Sequence, residues 1–348
     1  MAGRVSSFIE ERFDLTPVRN WIACRKVPQH KHSFWYYFGG LALFVLFVQI
    51  VTGILLAFYY SPTPAHANES VHYIMETVHY GWLIRSIHVW GANFLIAIVL
   101  VHMFSTYFMK AYRKPREVMW VLGVIILGLL LTSAFTGYLL PWTTLSFFAT
   151  KIGVSMPLYI PGIGGWLSRV MMGGADVGAA TLSRMFTLHT IVLPILWVTF
   201  ITIHVFLSQV LGISTPISQK DYREETKLFP TFAMRQAAVW SGGLAVLLAF
   251  VAIFPANIAH KVNPVLPAPA GIKPEWYFLF VFQTLRTFSD LVGLGGITLA
   301  GIIWLLVPFL DRNASSGRRS PFFSLFGVAI IVYIATMTVM AYITTAVH

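Results

Sequence analysis

The stretch GWLIRSIHVWGANFLIAIVLVHMFSTYF, residues 81–108, decides how this chain is read. It carries one charged side chain, Arg85, and two histidines, His88 and His102, spaced by 14 residues. A helix rises about 1.5 Å per residue and needs about 20 apolar residues to cross a hydrocarbon core of about 30 Å, so the stretch reads as a membrane span. Ionisable groups at that depth are rare and mark function. The pattern recurs in RMFTLHTIVLPILWVTFITIHVFLSQVL, residues 184–211, where Arg184 precedes His189 and His204, spaced by 15 residues.

The whole chain has this character. Of its 348 residues, 57% are hydrophobic and 11% are charged, with mean hydropathy +0.73. Soluble domains carry about a quarter charged residues, so a soluble, disordered or nucleic-acid-binding protein is excluded despite a formal charge of +11. A single cysteine, Cys24, allows no internal disulfide and no cysteine-based cluster within one chain. The first 32 residues are polar and mixed in charge, which predicts no cleavable leader.

Seven apolar runs predict an all-α polytopic membrane protein, with spans at 33–60, 81–108, 118–140, 184–211, 233–255, 293–310 and 322–345. The polar stretch 212–232 predicts a division into a four-helix unit, 1–215, and a three-helix unit, 216–348. Loops at 141–183 and 256–292 exceed the length of simple connections, which predicts function or short helices within them. Seventeen Lys and Arg fall on the side of the N-terminus, including Arg4, Arg12, Lys110, Arg116, Lys220, Arg223 and Arg318, against six on the other. By the positive-inside rule the N-terminus is cytoplasmic (the n-side) and the C-terminus is outside (the p-side).

Fourteen helical steps turn about 1400° and fifteen about 1500°, so each histidine pair keeps roughly to one face, about 21–22 Å apart along the axis. The second and fourth spans run in the same direction. His88 and His189 therefore share a depth near the p-side, and His102 and His204 one near the n-side. Facing imidazoles on two helices of a bundle can hold an iron porphyrin between them. Two such haems form an electron relay across the bilayer, without an open position for substrate. The competing readings are interhelical hydrogen bonding, and zinc, for which each level has two ligands too few. Gly39 and Gly53 on the first span, and Gly123 and Gly137 on the third, repeat the interval of 14 at the same depths. A residue without Cβ permits close approach to a macrocycle, although small residues also serve helix packing in membranes. Arg85, Arg184 and Arg116 stand near the predicted haem edges, where guanidinium groups bind propionates, or they snorkel to the interface. Pro274-Glu275-Trp276-Tyr277 places a carboxylate among aromatics on the p-side. It is a proton acceptor whose pKa burial raises, or a solvated loop acid in an aromatic belt.

With the histidine quartet, the four glycines, Gly137-Tyr138-Leu139-Leu140-Pro141-Trp142 and Pro274-Glu275-Trp276-Tyr277 in place, the chain resembles cytochrome b of the bc-type quinol:cytochrome c oxidoreductases along its whole length. Seven spans and the interval of 15 resemble the chloroplast-type and Gram-positive branch, with the four-helix and three-helix parts fused as in a bacterial chain. The resemblance implies two b-type haems, at His88/His189 and His102/His204. It implies quinol oxidation at the p-side, with Glu275 accepting a proton and Tyr138 and Tyr277 in the pocket, and quinone reduction at the n-side. It further implies proton translocation, a Rieske-type iron–sulfur protein and a c-type cytochrome as partners, a homodimeric complex and a bacterial cytoplasmic membrane. Four positions depart from the pattern. Tyr37 stands where relatives carry the cysteine of a third, n-side haem, and Cys24 lies in another register. Gln209 replaces an n-side arginine, and Thr143-Thr144 replaces a Gly-Gln or Asp-Gln pair. The alternatives are a dihaem anchor serving a dehydrogenase or hydrogenase, and a histidine-bearing transporter, which predicts repeat symmetry and broken helices.

Overall fold

A computed structural model describes residue 8 and residues 10–217 and 224–344. Arg4, Lys220, Arg223 and the central part of the expected linker lie outside these residues. Seven helices are long and apolar enough to cross a membrane: Ser33–Ala57, Gly81–Phe108, Glu117–Leu139, Ala179–Leu211, Leu228–Ile253, Asp290–Ser315 and Pro321–Ile343. All seven expected spans are present, with ends displaced by a few residues. The largest displacements are five residues: the fourth span starts at Ala179 rather than 184, the fifth at Leu228 rather than 233, and the sixth ends at Ser315 rather than 310.

The spans alternate in direction. One end of the bundle, the basic end, holds Tyr36 against Ser214, Arg116 against Leu211, and Gln236 against Tyr37. The other, the loop end, holds Arg85 against Ala256 and Trp90 against Phe254. The first span packs on the second and the third on the fourth. The fifth lies against the first two and the sixth against the third, while the seventh touches the second. Lipid gives helices no hydrophobic reason to associate, so close packing and polar contacts decide the arrangement. Trp240 Nε1 donates to Gly40 O at 2.9 Å, and Trp120 Nε1 donates to Trp304 O at 2.9 Å. Each such bond contributes about 0.6–2 kcal/mol in a membrane. An apolar layer of Val45, Leu46, Leu95, Ile126, Leu130, Leu193 and Trp197 fills the middle of the bundle.

The long loops carry their own helices. The connection after the first span contains Ala67–Glu76, the next outer loop contains Thr144–Ser155 and Gly164–Met172, and the last contains Leu279–Thr287. They close over a second apolar cluster around Leu139, Trp142, Phe147, Leu182 and Met185. At the basic end two strands, β1 (Lys26–Pro28) and β2 (Glu225–Lys227), pair antiparallel. The expected linker is thus tied to the N-terminal segment on the far side of residues 218–223.

Candidate functional site

Of the four histidines on the second and fourth spans, His88 and His189 face each other directly. The rings of His88 and His189 have centres 6.2 Å apart and planes at 82°. Thr52 Oγ1, on the first span, gives its own proton to Val48 O at 2.7 Å, so its lone pair accepts from His88 Nδ1 at 2.9 Å. Ser133 O, on the third span, accepts from His189 Nδ1 at 2.9 Å. Both Nδ1 atoms therefore carry the proton, and both Nε2 atoms are left as bare lone pairs. Neither Nε2 has a hydrogen-bond partner among the described residues.

This arrangement fits an iron porphyrin. Two in-line metal–imidazole bonds of about 2 Å, with each ring centre roughly 1 Å behind its nitrogen, place the ring centres about 6 Å apart. Ligating histidines hold their other ring nitrogen against a carbonyl or similar acceptor, as these do. Among the described residues no three His, Cys, Asp or Glu side chains converge on a metal position. Each level offers two imidazoles, which suits a group that brings its remaining ligands itself.

The basic-end pair is built from the same elements. His102 and His204 are half-buried, and their Nδ1 atoms are buried without a hydrogen-bond partner. The interval of 15 on the fourth span is explained by a π-helical turn, Leu188–Val192. Pro194 lacks the N–H that would bond Thr190 O, and the wide turn takes up one extra residue. Fifteen residues thus cover the rotation of about fourteen ordinary helical steps.

Each of the four glycines faces one histidine. A Cβ on Gly39 would stand 3.0 Å from His102 Cε1, on Gly53 3.2 Å from His88 Cε1, on Gly123 3.6 Å from His204 Cε1, and on Gly137 2.5 Å from His189 Cε1. The glycines give clearance to the imidazole rings themselves. The arginines lie on backbone carbonyls: Arg85 on Ala256 and Asn257, Arg116 on Leu211 and Gly212, Arg184 on Arg169 and Val170. Arg85 is buried and Arg184 is exposed. Tyr37 stacks on Phe232, and Cys24 is exposed on the helix Thr16–Cys24.

At the loop end Trp276 Nε1 donates to Asn93 Oδ1 at 2.8 Å, fastening the Pro-Glu-Trp-Tyr segment to the second span. Glu275 is half-buried and Tyr277 is buried. Burial holds the Glu275 carboxyl above the usual carboxylate range. It also raises the Tyr277 phenol, reinforced by the charges of Glu275 and Tyr138, which places the three side chains in one neighbourhood. The loops beside this segment are held by bonds that sequence reading missed. Asn68 Nδ2 donates to Pro141 O at 2.9 Å and Ala259 O at 3.3 Å, and Val262 N donates to Trp142 O at 3.1 Å. Thr143 caps the helix Thr144–Ser155 through Ser146. The signal for that cap is a Thr-x-x-Ser pattern ahead of an apolar helix.

Comparison with known proteins identifies the family and the fold. Residues 23–212 match the model of the family Cytochrome b/b6/petB, and residues 261–348 match Cytochrome b(C-terminal)/b6/petD. The chain belongs to the cytochrome b/b6 family. Within it, both family parts lie in one polypeptide. It is 45% identical, over 97% of this chain and 81% of the relative, to the cytochrome bc complex cytochrome b subunit of Chlorobaculum thiosulfatiphilum. It is 40% identical to cytochrome b6 of Chlamydomonas reinhardtii, over 62% of this chain and 99% of that protein. A solved structure described as a hyperthermophilic respiratory Complex III superposes with a TM-score of 0.87 at 31% identity, over 97% of this chain and 91% of that one.

Proposed function

We propose that the chain is the dihaem cytochrome b subunit of a bc-type quinol:cytochrome c oxidoreductase. The observation that carries this reading is the facing pair His88 and His189, whose Nδ1 protons are committed to Thr52 and Ser133 while both Nε2 lone pairs are free. His102 and His204, on the same two spans nearer the basic end, are the proposed second pair. When bound, the two haems supply one-electron transfer between the two faces of the membrane.

The chain's own residues do the rest. Four histidines hold the two groups, and Gly39, Gly53, Gly123 and Gly137 leave room for the rings. Arg85, Arg184 and Arg116, which hold backbone carbonyls near the ends of these spans, would supply guanidinium charge to propionates. At the loop end quinol binds beside Glu275, Tyr138 and Tyr277. The Glu275 carboxylate takes a quinol proton, its basicity increased by burial. Quinone is reduced at the basic end. Release of protons at one face and uptake at the other works against about 2.3 kcal/mol per charge per 100 mV. The positive-inside rule puts the basic end and the N-terminus in the cytoplasm of a bacterium and the C-terminus outside. A Rieske-type iron–sulfur protein and a c-type cytochrome take the other electron, in a complex that is a homodimer. The division near residue 215 separates the four-helix unit from the three-helix unit.

A reduced-minus-oxidised absorption spectrum of the purified complex tests this reading. Two b-type signals of different potential are expected, and a featureless spectrum overturns it. A dihaem anchor would give the same spectrum, but it has no use for a half-buried carboxylate beside two tyrosines. Quinol-dependent reduction of a c-type cytochrome separates the two.

A further inference from the structure

The two histidine pairs differ in what stands behind them. At the loop end the residue before each clearance glycine is threonine: Thr52-Gly53 on the first span and Thr136-Gly137 on the third. At the basic end the corresponding pairs are Phe38-Gly39 and Leu122-Gly123. Both threonines are buried, and both give their hydroxyl proton to a carbonyl one turn back, Thr52 to Val48 at 2.7 Å and Thr136 to Thr132 at 3.0 Å. Each thereby turns a lone pair toward an imidazole Nδ1. Thr52 Oγ1 lies 2.9 Å from His88 Nδ1, and Thr136 Oγ1 lies 3.4 Å from His189 Nδ1. His102 and His204 have no such partner, and their Nδ1 atoms are buried and unbonded.

We propose that Thr52, with Thr136 as its weaker counterpart, is a positioning residue that fixes the tautomer of the loop-end imidazoles and makes them stronger electron donors than the basic-end pair. The inference rests on the bis-histidine reading above. An acceptor on the N–H of an imidazole increases the basicity of its other nitrogen and locks the ring's orientation. Outer hydrogen bonds of this kind are among the levers by which a protein sets haem potential. A more basic ligand favours the oxidised iron, so the loop-end haem takes the lower potential. The two threonines do not contribute equally. Thr52 is the side-chain partner of His88 Nδ1 and lies close to it, whereas Thr136 stands farther from His189 Nδ1, which keeps Ser133 O when Thr136 is changed. The device is legible as a dipeptide: threonine supplies the acceptor on the turn where glycine supplies the room.

The test is a redox titration of the intact complex carrying Thr52→Val, Thr52→Ser or Thr136→Val, following both haem signals. Valine keeps the shape and removes the acceptor, and serine keeps the acceptor. Thr52→Val should raise one of the two midpoints by an amount equal to about a tenfold change in the oxidised-to-reduced ratio, or about 59 mV for one electron. The other midpoint should stay in place, Thr52→Ser should match the parent, and Thr136→Val should move the same haem by less. If Thr52→Val instead loses one haem while Thr52→Ser keeps both, the positioning role stands. Unchanged midpoints in Thr52→Val, an equal shift of both haems, or loss of the same haem in Thr52→Ser overturns the proposal and leaves the ligand assignment intact. A parent complex without b-type signals overturns the ligand assignment itself, and the role of Thr52 with it.

Discussion

Gly137 lies against His189 so closely that a Cβ there would stand 2.5 Å from ring atom Cε1 and 2.9 Å from Nδ1. A ring fixed by Ser133 O cannot yield that distance without losing its bond. Gly137→Ala should therefore displace His189 and remove or strongly shift the loop-end haem signal. Gly123→Ala, where the same atom would stand 3.6 Å from His204, should be tolerated. Difference spectra of the two variants at equal protein content check this. Equal effects would mean that clearance for the ring is not what these glycines provide.

His102→Leu separates the two levels. The apolar layer around Leu95 and Trp197 lies between the basic-end pair and the loop-end pair, so a change at one level leaves the other's packing in place. The variant should lose the basic-end signal entirely and keep the loop-end one. Survival of both at full intensity would show that His102 is not a ligand.

Much of this is legible in the amino-acid sequence, and the reason is the membrane. A histidine in a run such as 81–108 is costly enough in lipid that its presence and spacing carry information. The helical period converts that spacing into a shared face. The seven spans follow from the same cost. What the sequence does not supply are partners distant along the chain. Asn93 finds Trp276 and Tyr112 finds Asp311 because helices pack, and no local period encodes those meetings. The interval of 15 on the fourth span is visible as a number, but its cause, the π turn ahead of Pro194, shows only in the folded backbone. The arginines mark the limit from the other side. Their position suggests propionates, and the structure adds the backbone carbonyls they already hold.

Glu275 gives a pH prediction with a definite sign. Burial raises its pKa, so the proton-accepting carboxylate is lost as pH falls through a value above the ordinary carboxylate range. Quinol oxidation should increase with pH across that interval and then level off. Glu275→Gln should slow turnover by about 100-fold or more and flatten the rise, with both haem signals retained. Turnover of the variant equal to the parent from about pH 6 to 8 would exclude a proton role.

The last prediction concerns the basic end, where a charged pair is buried between the second and sixth spans. Tyr112 Oη donates to Asp311 Oδ2 at 2.7 Å, Ala314 N donates to Oδ1 at 3.1 Å, and Lys110 Nζ stands 4.0 Å from Oδ2. The Lys110 ammonium also lies 4.8 Å from the ring centre of Tyr107 and 5.7 Å from that of Tyr112. Both charged side chains are buried, so neither can recover water when its partner is removed. Asp311→Ala leaves an ammonium among aromatic rings and should cost about 3–5 kcal/mol. Replacing both members by apolar groups removes that orphan charge. Lys110→Met with Asp311→Leu should therefore be more stable than Asp311→Ala alone, although it lacks one more native side chain. Thermal unfolding of the three proteins in detergent measures the order. A double variant no better than the single one would assign the loss to the Tyr112 and Ala314 hydrogen bonds rather than to the uncompensated lysine.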